Sequence, residues 1–384
     1  MFMPVNNKTS IFFKYVFVTL LGFLTSIAFA SNLDGMSREE MKVFIDDMPK
    51  AELHIHLAGT LSPETVAKLA NRNKFSYFNT VDEVVESIAA RKPGLAGLAG
   101  FLGHHNKQQN VLQTEEDFKT AVYDFLQKCK ENNTVYVELF FDPQAHTSRG
   151  IDFDAMMKGI LAGRVAGEKD FNIQLNLIIS INRERSVESA INMLKRAKPY
   201  KPHIIGLGLD SGPEEGNPPS KFKAVYAQAK IDGYFLTAHN DVDEKDSVAH
   251  IWEAINILQV DRLDHSLNAA EDMILMAEII KRGLCLTASP VQRGTDYEPQ
   301  DIPRIKFLFQ HGVCLSLHSD DPGEFDSGYI SQLMLNFQQA GQFSKRDMVR
   351  LMLNAFKTAW LADDVKKSYL DSLKKWAAER YVNI

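Results

Sequence analysis

The sequence predicts an α/β chain of the (β/α)8, TIM-type barrel class with a helical insertion after the first strand. Three observations carry this reading: eight short β-rich runs, longer stretches of helical periodicity between them, and one long interruption of that rhythm from Leu61 to Asn133. Eight parallel strands, each followed by helix, close a sheet on itself. With 384 residues, 45% apolar and 24% charged, the chain can bury one large core or two ordinary ones. The unbroken strand-helix rhythm favours one domain.

The N-terminus stands apart. Lys8 and Lys14 precede the apolar run Tyr15 to Ile27, and Ala28-Phe29-Ala30 then offers small residues at both key positions. That pattern predicts a secretory signal over residues 1–30, cleaved after Ala30. The run is shorter than the about 20 apolar residues of a spanning helix, so no stable membrane span is expected after cleavage. The mature domain, 31–384, is expected in the periplasm or the medium.

The strand runs, in order, are Glu52 to Leu57, Val135 to Phe141, Gln174 to Ile181, Ile204 to Asp210, Tyr234 to His239, Arg262 to His265, Leu284 to Ser289 and Val313 to His318. Between them, Val248 to Leu258 and Ala270 to Lys281 carry helical spacing, and Gly283 and Gly312 mark the turns that follow helices. Leu61 to Asn133 reads as several helices forming a cap over the barrel mouth. Ser344 to Arg380 reads as helices with charged, solvated faces.

A net charge of −6 supplies no general field for nucleic acid or an anionic membrane. The mature cysteines, Cys129, Cys285 and Cys314, are odd in number and widely spaced, so no disulfide framework is expected. Cys285 and Cys314 each fall in an apolar run, where a thiol is expected to pack as a small hydrophobe.

The chemistry begins at His54 and His56. Side chains two apart on a strand share a face, so both imidazoles can reach one ion at the mouth of a barrel. Alone, H-x-H equally describes two unrelated histidines. Here His239 closes the fifth run, His265 the sixth, and Ser319-Asp320-Asp321-Pro322 follows the eighth. Three imidazoles and a carboxylate with an open position suit a zinc ion that activates water. Asp320-Asp321 before a proline also describes a polar turn, but the other strand ends give it company.

With these blocks in view, the chain resembles the adenosine and adenine deaminase family of metal-dependent amidohydrolases over nearly all its mature length. The resemblance rests on Pro49-Lys50-Ala51-Glu52-Leu53-His54-Ile55-His56-Leu57, Glu138-Leu139-Phe140-Phe141-Asp142-Pro143 and Gly206-Leu207-Gly208-Leu209-Asp210-Ser211. Asp261-Arg262-Leu263-Asp264-His265 and Leu315-Ser316-Leu317-His318-Ser319-Asp320-Asp321-Pro322 complete it. Gly216-Asn217-Pro218-Pro219-Ser220-Lys221-Phe222 is closer to the adenine branch.

The resemblance implies that one zinc ion is held by His54, His56, His239 and Asp320, and that His265 orients and deprotonates the attacking water. It implies that Asp321 meets purine nitrogen 7, and that the backbone at Ser211 and Gly212 meets nitrogen 3. The expected reaction converts a 6-aminopurine, adenosine, adenine or a related derivative, into the 6-oxo purine and ammonia. The expected partner is therefore a small purine and not a nucleic acid; the sequence assigns no oligomeric state.

Three departures stand out. The family follows its third metal histidine with Ala-Gly-Glu, whose Glu protonates purine nitrogen 1. Here His239 is followed by Asn240-Asp241-Val242-Asp243-Glu244, and Val242 carries no proton. Asp241 or Asp243 is the expected substitute, against a merely solvated acidic loop. Ala58 replaces an acidic residue that contacts the sugar in adenosine-type relatives, and Ser289-Pro290-Val291-Gln292 departs from the usual Pro-x-Ser-Asn. Leu209-Asp210-Ser211 lacks the bridging lysine of two-metal relatives, which favours one ion. The competing reading is a secreted purine-binding or signalling member with weak or no turnover.

Overall fold

A computed structural model describes residues 35–90, 97–240, 245–293, 296–298 and 300–384. The expected leader, 1–30, lies outside the described residues.

The eight strands form the barrel. The first four are Lys50–His56, Thr134–Phe141, Gln174–Asn182 and Ile204–Asp210. The fifth is broken into Phe235–Leu236 and His239–Asn240. The last three are Leu263–His265, Cys285–Ala288 and Cys314–Leu317. Neighbours pair in parallel from first to eighth, with the break in the fifth dividing the hydrogen-bonded sheet into two arcs. The ring closes at the level of the site: His56 N donates to the Asp320 carbonyl at 3.0 Å, and Asp320 N to the His54 carbonyl at 3.3 Å. Every residue of the first strand is buried, because a barrel strand is covered by helices outside and side chains inside.

The barrel floor explains two residue choices. Arg262, fully buried, donates to Glu138 Oε2 at 2.6 Å, and its guanidinium lies 4.0 Å over the Trp360 ring. Removing one member of such a buried pair costs about 3–5 kcal/mol, because the other charge is left unpaired. Trp360 in turn presses on Gly206, where a Cβ would lie 2.4 Å from the indole, so only glycine fits.

The insertion is helical, as expected: Pro63–Arg72, Val81–Ala89, Gly97–Gln109 and Glu115–Glu131. Ser62, Thr80 and Thr114 cap three of these by accepting from backbone N–H groups. The C-terminal helices Lys345–Thr358 and Asp363–Ala378 bury Met348, Met352, Phe356, Leu373 and Trp376, leaving their charged faces outward. Among the described residues no helix is long and apolar enough to cross a membrane.

Several sequence expectations are revised. The expected helix over Val248 to Leu258 is an α-helix, Ser247–Glu253, that widens into a π turn, Ala254–Leu258. That over Ala270 to Lys281 starts later, at Met273–Arg282, because Asp272 caps it after a 3-10 turn. Gly283 and Gly312 do end helices, at φ +67° and +85°. Cys285 and Cys314, expected as packed thiols, form a disulfide. They are register partners on the seventh and eighth strands with Cα atoms 4.5 Å apart, a proximity that spacing along the chain does not reveal. Cys129 is buried and free.

Candidate active site

The strand ends bring five expected residues together at the mouth. His54 Nε2 lies 3.2 Å from Asp320 Oδ1, and His56 Nε2 lies 3.4 Å from the same oxygen. His56 Nε2 and His239 Nε2 are 3.1 Å apart, and His265 Nε2 is 4.0 Å from Asp320 Oδ2. One donor atom from each of His54, His239, His265 and Asp320 lies within 4.8 Å of the others.

This set fits a divalent cation of the zinc type. His54 Nε2 is buried against Asp320 Oδ1, where the angle is poor for a hydrogen bond between the two. Burial, helped by neighbouring imidazoles, lowers His56 to about 3 and His239 and His265 to about 4, which keeps them neutral, as nitrogen ligands must be. Burial opposes ionisation of Asp320, but His54, His265 and His56 hold its carboxylate well below the usual range.

A ring of supporting groups fixes these imidazoles. His54 Nδ1 is 3.0 Å from Thr287 Oγ1, which donates to Asp264 Oδ1 at 2.7 Å. Thr287, its own proton given to Asp264, accepts from His54 Nδ1 and leaves Nε2 facing Asp320. Asp264 Oδ2 accepts from Thr237 Oγ1 at 2.7 Å and lies 3.3 Å from His239 Nδ1. Asp210 Oδ2 lies 3.6 Å from His56 Nδ1. Asp264 and Asp210 fall in the motif blocks, but the sequence assigns them no role. The signal was present: Asp264 ends a strand beside His265, and Asp210 closes the fourth.

The substrate side is built from loops and the insertion. Asp321, Ser211 and His265 line one cavity. Burial and adjacent Asp320 raise Asp321 above the usual carboxylate range, against the pull of His105, which favours the protonated carboxyl. Gly59 lies against it: a Cβ there would fall 1.9 Å from Asp321 Oδ1. From the helix Gly97–Gln109, His105 Nδ1 sits 2.8 Å from Glu324 Oε1 and 3.5 Å from Asp321 Oδ1. The insertion thus reaches the site itself, through a histidine the sequence reading did not single out.

Ser211, His265 and Asp320 all take positive φ, at +65°, +52° and +60°. Such backbone is costly for residues with a side chain and clusters where function needs it. Gly212 follows Ser211 and joins Pro213 through a cis peptide bond, but it is Ser211 that lines the cavity. Fully buried Arg183 ties the nearby loops: it donates to the His239 carbonyl at 2.6 Å and pairs with Glu214 at 3.1 Å, which also holds His250 at 2.5 Å. Asp241 and Asp243, the expected proton donors, lie outside the described residues.

Comparison with known proteins agrees with this geometry. Residues 49–376 match the family model described as adenosine deaminase. An uncharacterized deaminase of Schizosaccharomyces pombe is 36% identical over 340 residues, covering 88% of this chain and 98% of the relative. An adenine deaminase of Crocosphaera subtropica is 36% identical over 330 residues, covering 85% and 98%. The crystal structure of an adenine deaminase from Arthrobacter aurescens superposes with a TM-score of 0.78 at 29% identity, covering 86% of this chain and 99% of that one.

Proposed function

Because the chain belongs to the adenosine deaminase family, and so is a metal-dependent hydrolase of carbon–nitrogen bonds, we propose that it deaminates a free 6-aminopurine, adenine first among them, with one zinc ion. The observation that carries this is the convergence of His54, His56, His239, His265 and Asp320 at a mouth also lined by Asp321 and Ser211. The relatives named adenine deaminase and the absence of an acidic side chain at Ala58 support the free base over a nucleoside.

His54, His56, His239 and Asp320 would hold the zinc, which when bound supplies a Lewis acid that makes water acidic near neutral pH. His265, kept neutral, takes the proton from the attacking water. Asp321 donates to purine nitrogen 7, and the Ser211 backbone faces nitrogen 3. A carboxyl of the loop after His239, Asp241 or Asp243, protonates nitrogen 1. The water oxygen bonds to carbon 6, the bond from carbon 6 to its amino nitrogen breaks, the nitrogen leaves as ammonia with the proton from His265, and the remaining hydroxyl proton returns to the loop carboxylate as the carbonyl forms. Imidazolium at His265 beside developing negative charge is favourable among buried groups.

Export is part of the proposal. The leader pattern over residues 1–30 and the Cys285–Cys314 disulfide both support a periplasmic or extracellular location, since disulfides persist where thiols are not kept reduced. Incubating the zinc-loaded protein with adenine and identifying hypoxanthine and ammonia tests the activity. Turnover of adenosine with none of adenine would overturn the choice of substrate.

A further inference from the structure

We propose that Asp142, assisted by Asp210 and Asn182, reads the ring N–H at purine nitrogen 9 and so selects an unsubstituted base over a nucleoside. Asp142 ends the second strand, Asn182 the third and Asp210 the fourth, and all three line the cavity that holds His56 and Asp321. They are 8%, 7% and 4% exposed. Asp142 and Asp210 face each other, and on that wall Asp142 Oδ1 and Asn182 Oδ1 are buried with no hydrogen-bond partner among the described residues. Two buried acceptors without donors on one wall are costly unless a ligand brings N–H or O–H groups to them.

The order of the barrel says which edge of the ligand arrives there. This step rests on the proposed function, in which Asp321, after the eighth strand, meets nitrogen 7 and Ser211, after the fourth, meets nitrogen 3. The arc of the barrel from eighth to fourth passes through the first, second and third strands. The rim of a purine from nitrogen 7 to nitrogen 3 passes through nitrogen 9. Nitrogen 9 therefore faces Asp142 and Asn182. In a free base that atom carries a proton when nitrogen 7 accepts from Asp321. In a nucleoside it carries a sugar carbon, which leaves the carboxylate wall unpaired.

The test compares adenine with 9-methyladenine on the zinc-loaded protein, its Asp142→Ala variant and its Asp142→Asn variant. A site built to bond an N–H rejects the analogue lacking it strongly, so wild type should favour adenine by about 100-fold or more in kcat/KM. Asp142→Ala should bring that ratio close to one, with KM for adenine carrying the loss. Asp142→Asn keeps the volume and one acceptor oxygen and should retain part of the ratio, even if the alanine variant does not fold. Equal use of the two purines by wild type, or an unchanged ratio in both variants, would overturn the proposal. Should wild type deaminate no 6-aminopurine, the proposed function fails on its own, and equilibrium dialysis with adenine and 9-methyladenine still decides this point. Selective binding of adenine that Asp142→Asn weakens supports it; equal binding or none overturns it.

Discussion

The carboxylate of Asp264 lies 3.3 Å from Nδ1 of His239 and, through Thr287, also orients His54. One side chain on the sixth strand thereby faces His239 of the fifth directly and His54 of the first through Thr287. Groups that orient metal-binding histidines in this way typically contribute about 10- to 100-fold to metal affinity. Asp264→Asn should weaken zinc binding by about that factor, measured by competition with a chromophoric chelator. Unchanged affinity would reduce Asp264 to packing.

His265 is the partly exposed member of the imidazole cluster, with a side chain 16% exposed and its Nε2 only 4.0 Å from Asp320. As the proton acceptor it should account for about 100- to 10,000-fold in turnover. His265→Ala should lose that much in kcat while binding zinc normally. A variant that turns over like wild type would contradict the role.

Val242 stands where the resemblance places the family's proton-donating Glu, and the proposed donor is instead Asp241 or Asp243 of the loop after His239. Asp241→Asn and Asp243→Asn, made separately, should separate cleanly: one collapses kcat by about 100-fold or more at unchanged zinc content, and the other does not. Full activity in both would remove the loop carboxylates from the reaction.

The contact of the insertion with the mouth should be pH-dependent. Burial opposes a charge on His105, but Glu324, then Asp321 and Asp142, raise it from the ordinary 6.5 to about 9. A group raised on folding stabilises the folded state fully below its unfolded value and loses that contribution as pH climbs through the folded one. The gap in melting temperature between wild type and His105→Gln should be largest at about pH 6 and close between about pH 6.5 and pH 9. A gap that is flat or widens with pH would contradict the pairing of His105 with Glu324.

Much of the site was legible because its chemistry sits at strand ends, where a period of two and a change of residue class mark the position. His54 and His56 share a face by spacing alone, and His239, His265 and Asp320 each fall within three residues of the end of a strand run. The supporting groups were not legible because they act across strands. Whether Asp264 bonds to His239, or Asp142 faces Asp210, depends on barrel register. The Cys285–Cys314 bond illustrates the same point: 29 residues separate the cysteines, and only parallel pairing makes them neighbours. His105 sits mid-helix in the insertion, where nothing in local pattern distinguishes a histidine aimed at the mouth from one packed below it.

Metal removal followed by readdition tests metal-dependent deamination of a free purine. The chelated protein should release no ammonia from adenine, and titration with zinc should restore turnover linearly to a plateau at one equivalent per chain. Undiminished turnover in the chelated protein, or one tightly bound zinc with no ammonia from adenine, would contradict it.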